Sequence, residues 1–273
     1  MKINFMVTKI TSVNNKLVKN LVVLHNKSRE RRKQGLIIIE GIKEIQLALL
    51  ADVEIQHLYF CPDIVSKEAV DDLFCKISDN VEYFEVSKEV YNKISYREST
   101  GGMVVLARSP VKKLNDLKLA DNSVFVILES VEKPGNLGAI ARIADGAGVS
   151  GIIVSDPRAD VFNPNSIRAS LGCVFTTDVV VADTQQTMDW LKINKIKIFA
   201  AELNASEKYH NLNLRGKVAL VFGTEATGLT DKWIKAADQR LRVPMLGKID
   251  SLNVSASVAV VVYEAMRQRN FVV

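Results

Sequence analysis

Three short stretches in the second half of the chain carry polar side chains at points where a chain can do chemistry. In the first, Pro134-Gly135-Asn136-Leu137-Gly138-Ala139-Ile140-Ala141-Arg142, a loop turns into a helix. Asn136 can cap that helix. Arg142 follows six residues later, about 600° further round a helix of 3.6 residues per turn. The two side chains lie off one another's face, so loop geometry must bring them together. Alone, the stretch reads better as a capped helix with a surface arginine. In the second stretch, Leu220 to Leu229, an apolar strand ends in Gly223-Thr224-Glu225. Gly223 lets a ligand approach the backbone, and Glu225 leaves the strand end, where α/β domains place their ligands. Alone, this is an ordinary turn with a surface acid. In the third, Val243 to Ala259, an extended apolar loop feeds a helix rich in small residues. Ser251 or Asn253 can cap it, and its first N–H groups are free for a ligand. The run of Ser and Ala lets another backbone pack close, which a tightly packed terminal helix also requires.

The elements that position these residues form two α/β patterns. In the first, strands at 36–39, 55–60, 81–86 and 101–106 alternate with helices over 41–50, over 67–76 behind the cap Ser66, and after Ser87. The polar stretch 109–120, with Pro110 near its start, reads as a linker. The second pattern has strands at 123–128, 151–154, 179–181, 196–201, 218–222 and 240–243. Helices fit at 136–147, 164–171, 184–194, 229–237 and from about Asn253 to Arg269. The expected division is therefore 1–108, a linker at 109–120, and 121–273.

Ahead of the first pattern lies a basic segment. Residues 1–33 hold nine Lys or Arg against the single acid Glu30, a local +8 in a chain of net +5, so the rest of the chain carries −3. Val18, Leu21, Val22 and Leu24 follow helical spacing, which predicts a basic helical arm ending at Gly35. A basic segment on a near-neutral body suits a polyanion. The candidate contacts to such a polyanion are Lys16, Lys19, Lys27, Arg29, Arg31, Arg32 and Lys33.

Other chemistries find no support. The G-x-x-x-x-G-K-[ST] phosphate loop is absent. The strand at 123–128 runs into Glu-Ser-Val-Glu-Lys-Pro-Gly-Asn-Leu-Gly, which is not a G-x-G-x-x-G dinucleotide turn. The glycine-rich turn of the common Rossmann-like methyltransferases is missing as well. Cys61, Cys75 and Cys173 are odd in number and widely spaced, as expected of reduced thiols in a cytoplasmic protein. His25, His57 and His210 have no metal-ligand spacing, so no metal is expected. Neither a membrane-spanning run nor a signal peptide is read.

Taken together and in this order, N-x-x-x-x-x-R (136–142), G-x-E (223–225) and S-L-N-V-S (251–255) resemble the signature motifs of the SpoU/TrmH family of RNA 2′-O-ribose methyltransferases. The resemblance covers about residue 121 to the end. More weakly, the basic arm, Ile39-Glu40-Gly41-Ile42-Lys43 and Ser99-Thr100-Gly101-Gly102 resemble the family's RNA-binding domain, akin to the ribosomal protein L30e fold. The resemblance implies a C-terminal parallel-sheet domain tied in a deep trefoil knot, beside a smaller L30e-like α/β domain. It implies S-adenosylmethionine as cofactor, held by Gly223, Val243, Met245 and Leu252, and a homodimer. It places Asn136, Arg142, Glu225, Ser251 and Asn253 at functional positions. Because a guanidinium stays charged, Arg142 is read as a phosphate or ribose anchor that steadies a developing oxyanion, and the general base is left open. Ser251 and Asn253 would shape the loop and hold Arg142, while Glu225 would fix Asn136. The implied substrate is structured RNA, foremost ribosomal RNA of the 23S type. A transfer-RNA enzyme and a resistance enzyme of the same family are the alternatives. The alternative of another class is a non-catalytic RNA-binding or ribosome-assembly protein.

Overall fold

The computed structural model describes residues 6–77, 80–96, 101–205 and 207–272. Ser99 and Thr100 of the turn noted above lie outside them. The described residues fall into two compact units, one within the bounds Met1–Pro110 and Phe162–Thr176, the other within Val111–Val161 and Thr177–Val273.

In the first unit, strands β1 (Val7–Ile10), β2 (Leu36–Glu40), β3 (Ile55–Phe60), β4 (Glu82–Val86) and β5 (Met103–Arg108) form one sheet in the order β1-β4-β3-β5-β2. The β1-β4 and β4-β3 pairs are parallel, and β5 runs antiparallel to both of its neighbours. Helices α1 (Lys16–Asn26), α2 (Ser28–Gln34), α3 (Ile42–Leu50), α4 (Lys67–Phe74) and α5 (Lys88–Ile94) connect the strands. Ser66 and Ser87 cap α4 and α5, accepting from Ala69 N and Val90 N at 3.3 Å each.

The basic helical arm needs correcting. Its start is strand β1, with Val7 opposite Tyr83 and Ile10 opposite Val86. Two helices then follow, divided at Lys27, whose extended backbone breaks the helical run. The segment is part of the unit's core rather than a free arm, because Val18, Leu21 and Leu24 pack with Ile38, Tyr59, Val90 and Tyr91.

In the second unit seven strands lie in the order β10-β12-β9-β11-β6-β7-β8, all parallel. They are β6 (Val124–Glu129), β7 (Gly151–Ser155), β8 (Val179–Ala182), β9 (Lys197–Ala201), β10 (Glu207–Lys208), β11 (Val218–Phe222) and β12 (Gln239–Arg242). Near-continuous apolar runs such as Val-Phe-Val-Ile-Leu and Val-Ala-Leu-Val-Phe suit strands buried on both faces. Phe125, Ile127, Ala219 and Val221 face a layer made by α9 (Thr184–Ile193) and α10 (Asp231–Ala236), with Trp190, Leu191 and Trp233 in its core. Two further helices, α6 (Pro134–Ala147) and α11 (Val254–Gln268), pack on each other, and α11 also covers β11.

The single helix expected over 164–171 is instead two short ones, α7 (Pro164–Ala169) and α8 (Cys173–Thr176). Leu171 and Gly172 take positive φ between them (54° and 88°), which ends the first helix. Both helices cluster with the first unit, so the stretch from 121 to the end is interrupted there. Gly172 fits closely against Glu44: a Cβ at 172 would lie 3.0 Å from the Glu44 Cα. Tyr96 receives the Arg168 guanidinium on its ring at 5.2 Å and stacks on His25 at 5.5 Å.

Candidate active site

Because the sheet of the second unit is parallel, the loops after β6, β9, β11 and β12 all leave from the same edge. Helix α6 opens with Pro134 at its first position, where a missing N–H loses nothing. Its N-cap is Lys133, which makes no capping bond. Asn136 therefore sits within the first turn instead of capping the helix as the sequence suggested, and its amide is free to reach out. Asn253 is the N-cap of α11, its Oδ1 accepting from Ser255 N at 3.0 Å and from Ser255 Oγ at 2.6 Å.

These two helix starts meet at Glu225. Glu225 Oε1 accepts from Asn136 Nδ2 at 3.1 Å and from Asn253 Nδ2 at 2.5 Å. Asn253 Nδ2 also donates to Asn136 Oδ1 at 3.2 Å. The other carboxylate oxygen is paired with the Lys133 ammonium. The hydrogen bond from Lys133 is the main reason the Glu225 carboxyl lies below its ordinary range; burial opposes it, and the hydrogen bond from Asn136 adds to it more weakly. The same pairing raises Lys133.

The loop carrying Glu225 closes on itself. Thr224 N donates to Gly228 O at 3.2 Å, and Gly228 N returns to Thr224 O at 3.0 Å. Gly223 stands where this loop leaves the sheet, and a Cβ there would meet Leu229 N at 2.5 Å and the Gly228 carbonyl still closer. The far end of the loop is braced by Glu129, a buried acid at the end of β6 that accepts from Thr230 N at 2.8 Å and Thr230 Oγ1 at 2.7 Å.

Beside the network lies a cleft of about 510 Å³, inside the usual range for small-molecule sites. Gly223, Val243, Met245 and Leu252 all line it, as does Ser251. Leu229, Ile234 and Leu241 give it an apolar wall, and Glu202, Asn204, Thr224 and Asp231 a polar edge. An apolar wall with backbone amides and a few polar groups around it suits a nucleoside carrying a charged amino-acid tail.

Two expected associations are not made. Arg142 is exposed, and its guanidinium has no partner among the described residues. Ser251 donates to Asp250 Oδ1 at 2.9 Å, and Asn253 is engaged with Asn136 and Glu225, so neither holds Arg142. Sequence reasoning also missed Lys133 and Glu129. Glu129 had a signal, an acid ending the apolar run Val-Phe-Val-Ile-Leu; Lys133 had none.

Of the seven basic candidates, Lys16, Lys19, Lys27, Arg29, Arg32 and Lys33 are exposed on α1, on α2 and at the junction between them. Arg31 is the exception and is corrected here. It is 3% exposed, and its guanidinium donates to Leu24 O at 2.5 Å and His25 O at 3.1 Å, filling carbonyls that the end of α1 leaves free. Among the described residues, no helix is long and apolar enough to cross a membrane, and no group of three or more His, Cys, Asp or Glu is placed to hold a metal ion.

Known proteins are similar to this chain in sequence and fold. Residues 123–263 match the SpoU rRNA methylase family, and residues 15–105 match an MRM3-like substrate-binding domain. The 23S rRNA (guanosine(2553)-2′-O)-methyltransferase RlmP of Bacillus subtilis is 28% identical over 257 residues, covering 93% of this chain and 97% of its own. A crystal structure of an RNA 2′-O ribose methyltransferase superposes with a TM-score of 0.83 at 35% identity, covering 96% of this chain and all of that one. The AdoMet-bound rRNA methyltransferase of Sinorhizobium meliloti superposes with a TM-score of 0.88 at 28% identity, covering 96% and 98%. With a family match over more than half its length, both end domains accounted for and the three motifs gathered beside one cleft, this chain belongs to the SpoU rRNA methylase family.

Proposed function

We propose that this protein methylates a ribose 2′-hydroxyl of structured ribosomal RNA, using S-adenosylmethionine. The observation that carries this reading is the Glu225-centred network, which joins the three motif segments at the rim of a cleft of nucleoside size. Gly223, Val243, Met245 and Leu252 would hold the cofactor, the apolar residues against its adenine and Gly223 by admitting it to the backbone. When bound, the cofactor supplies a methyl group already activated on a sulfonium.

The remaining work falls to the protein: to place the 2′-oxygen, to accept negative charge as its proton leaves, and to exclude water. Arg142, exposed and without a protein partner, is suited to bind a substrate phosphate or ribose and to steady the oxyanion. Asn136 and Asn253 are oriented by Glu225 at the rim. Glu225 already accepts three donors, which makes it an orienting acceptor and a poor base. Ser251 lines the cleft next to Leu252 and would shape its entrance.

The exposed basic side chains of α1 and α2 would grip phosphate while shape selects the target. The names of the relatives, which specify 23S rRNA, favour ribosomal over transfer RNA. We read the C-terminal strands as tied in the trefoil knot of the family. The protein would act as a homodimer in the cytoplasm, and the exposed Tyr263 on α11 and Phe271 just beyond it suit a second copy.

The test is transfer of labelled methyl to unmodified ribosomal RNA and to bulk transfer RNA, with alkali-resistant linkages mapped afterwards. The expected result is one modified ribose in ribosomal RNA, abolished in Arg142→Ala while cofactor binding is kept. Normal transfer by Arg142→Ala refutes the role given to Arg142, and no transfer to either RNA by the unaltered protein refutes the activity.

A further inference from the structure

We propose that Lys133 is a positioning residue for methyl transfer: seated on one oxygen of Glu225, it leaves the other to aim the amides of Asn136 and Asn253. The inference rests on the reading of the site given above and deepens it.

Lys133 is an odd choice for its place. It is the N-cap of α6, where Ser, Thr, Asp or Asn would satisfy a free N–H, and it makes no capping bond. It also sets a cation at the positive end of the helix dipole, with no acid in the first turn to offset it. Helix stability therefore does not explain the residue. Glu225 does, from a loop 92 residues away in sequence.

The carboxylate has two oxygens and two kinds of partner. Oε1 takes both amide donors, at 3.1 and 2.5 Å, while Oε2 takes the ammonium. Without the ammonium, a carboxylate at the protein surface can rotate and share its oxygens among the amides and water, and Asn136 and Asn253 lose their common fixed acceptor. Lys133 also keeps Glu225 ionised, which both amides require. The competing reading is that Lys133, itself well exposed, leaves Glu225 for a substrate phosphate.

Kinetics of Lys133→Met and Lys133→Arg decide between these. Methionine keeps the length and removes the charge. The expected result for Lys133→Met is a kcat lower by about two- to fivefold, the range for removing one exposed ion pair. KM for RNA and affinity for S-adenosylmethionine stay within about twofold, and the acidic limb of the pH profile moves to higher pH. Lys133→Arg restores both kcat and the profile. Combined with Glu225→Gln, Lys133→Met adds little further loss, because the lysine acts through the glutamate. An unchanged kcat and pH profile in Lys133→Met overturns the proposal. So does a raised KM for RNA with weaker salt dependence at unchanged kcat, which marks a phosphate-binding lysine. An unaltered protein that methylates no RNA removes the underlying reading, and this proposal with it.

Discussion

Gly223→Ala is the most direct perturbation of the cleft. A Cβ at position 223 would stand 2.5 Å from Leu229 N and closer still to the Gly228 carbonyl, against 3.4 Å for ordinary contact. The obstacle is backbone, not the end of a flexible side chain. The loop must therefore move by about 0.9 Å or more, or the strand end must. It is poorly free to do so, because the Thr224–Gly228 pair closes it and Glu129 holds Thr230. Overpacking of this kind costs about 1–3 kcal/mol. In a unit of this size that is a fall in Tm of roughly 2–10 °C. The functional effect should be larger than the loss of stability suggests. Glu225 rides on the displaced loop, and a misplacement of about 1 Å can reduce catalysis about 100-fold.

The assay pairs thermal melting with calorimetric titration of S-adenosylmethionine and single-turnover methyl transfer. Gly135→Ala and Gly247→Ala are the controls, since a Cβ at either position meets nothing within 4 Å. If Gly223→Ala binds cofactor and transfers methyl as the unaltered protein does, the loop is not held as described, and the argument from the packing around Gly223 fails.

Four further outcomes are expected. Asn253→Ser keeps an oxygen to cap α11 but loses the amide donors to Glu225 and Asn136, so it should melt within about 0.5 kcal/mol of the unaltered protein and transfer methyl roughly tenfold more slowly or worse; Asn253→Ala should lose a further ~1 kcal/mol of stability. Neutralising Arg29, Arg32 and Lys33 should weaken RNA binding and shallow its salt dependence by about 0.7–0.9 for each phosphate no longer neutralised, with the fold intact. Arg31→Ala should instead lower Tm, because it leaves the Leu24 and His25 carbonyls without their donor. Burial raises the Glu44 carboxyl above its ordinary value. The folded state thus favours protonated Glu44, and its contribution to stability is greatest in acid and is lost as pH rises through the raised value. Glu44→Gln should melt higher than the unaltered protein at about pH 7, with the gap closing by about pH 4; an equal gap at both would show that the desolvation of Glu44 does not matter.

The second unit was the more legible of the two for a physical reason. Its strands are apolar on both faces, and the runs at 124–129, 151–155 and 218–222 stand out between polar turns. The first unit mixes parallel and antiparallel neighbours, and its first strand, Val-Thr-Lys-Ile, is an edge strand with three of its four residues exposed. Nothing in four such residues separates them from the start of a basic arm. Arg31 shows the same limit at the level of one side chain. Among the basic residues clustered from Lys27 to Lys33, composition does not say which one turns inward. Helical spacing marked the polar segment after β7 as helix, but it does not say which unit a helix packs on, and α7 and α8 pack on the first.

At the site, residue types were legible and partnerships were not. Glu225 is 89 residues from Asn136 and 28 from Asn253, so no local pattern relates them. Once they meet, hydrogen-bond chemistry explains why these types are needed. An ionised carboxylate only accepts, so its neighbours must donate, and Lys133, Asn136 and Asn253 do. Asn136 Oδ1 then needs a donor of its own, which the second hydrogen on Asn253 Nδ2 provides. Asn253 Oδ1 is left to cap α11 through Ser255. An aspartate at 253 could still cap the helix but would set a second carboxylate against Glu225; a serine could cap but has one hydrogen for two acceptors. The amide at 253 alone serves the helix, the carboxylate and the neighbouring amide at once, which links the placement of α11 to the geometry of the rim.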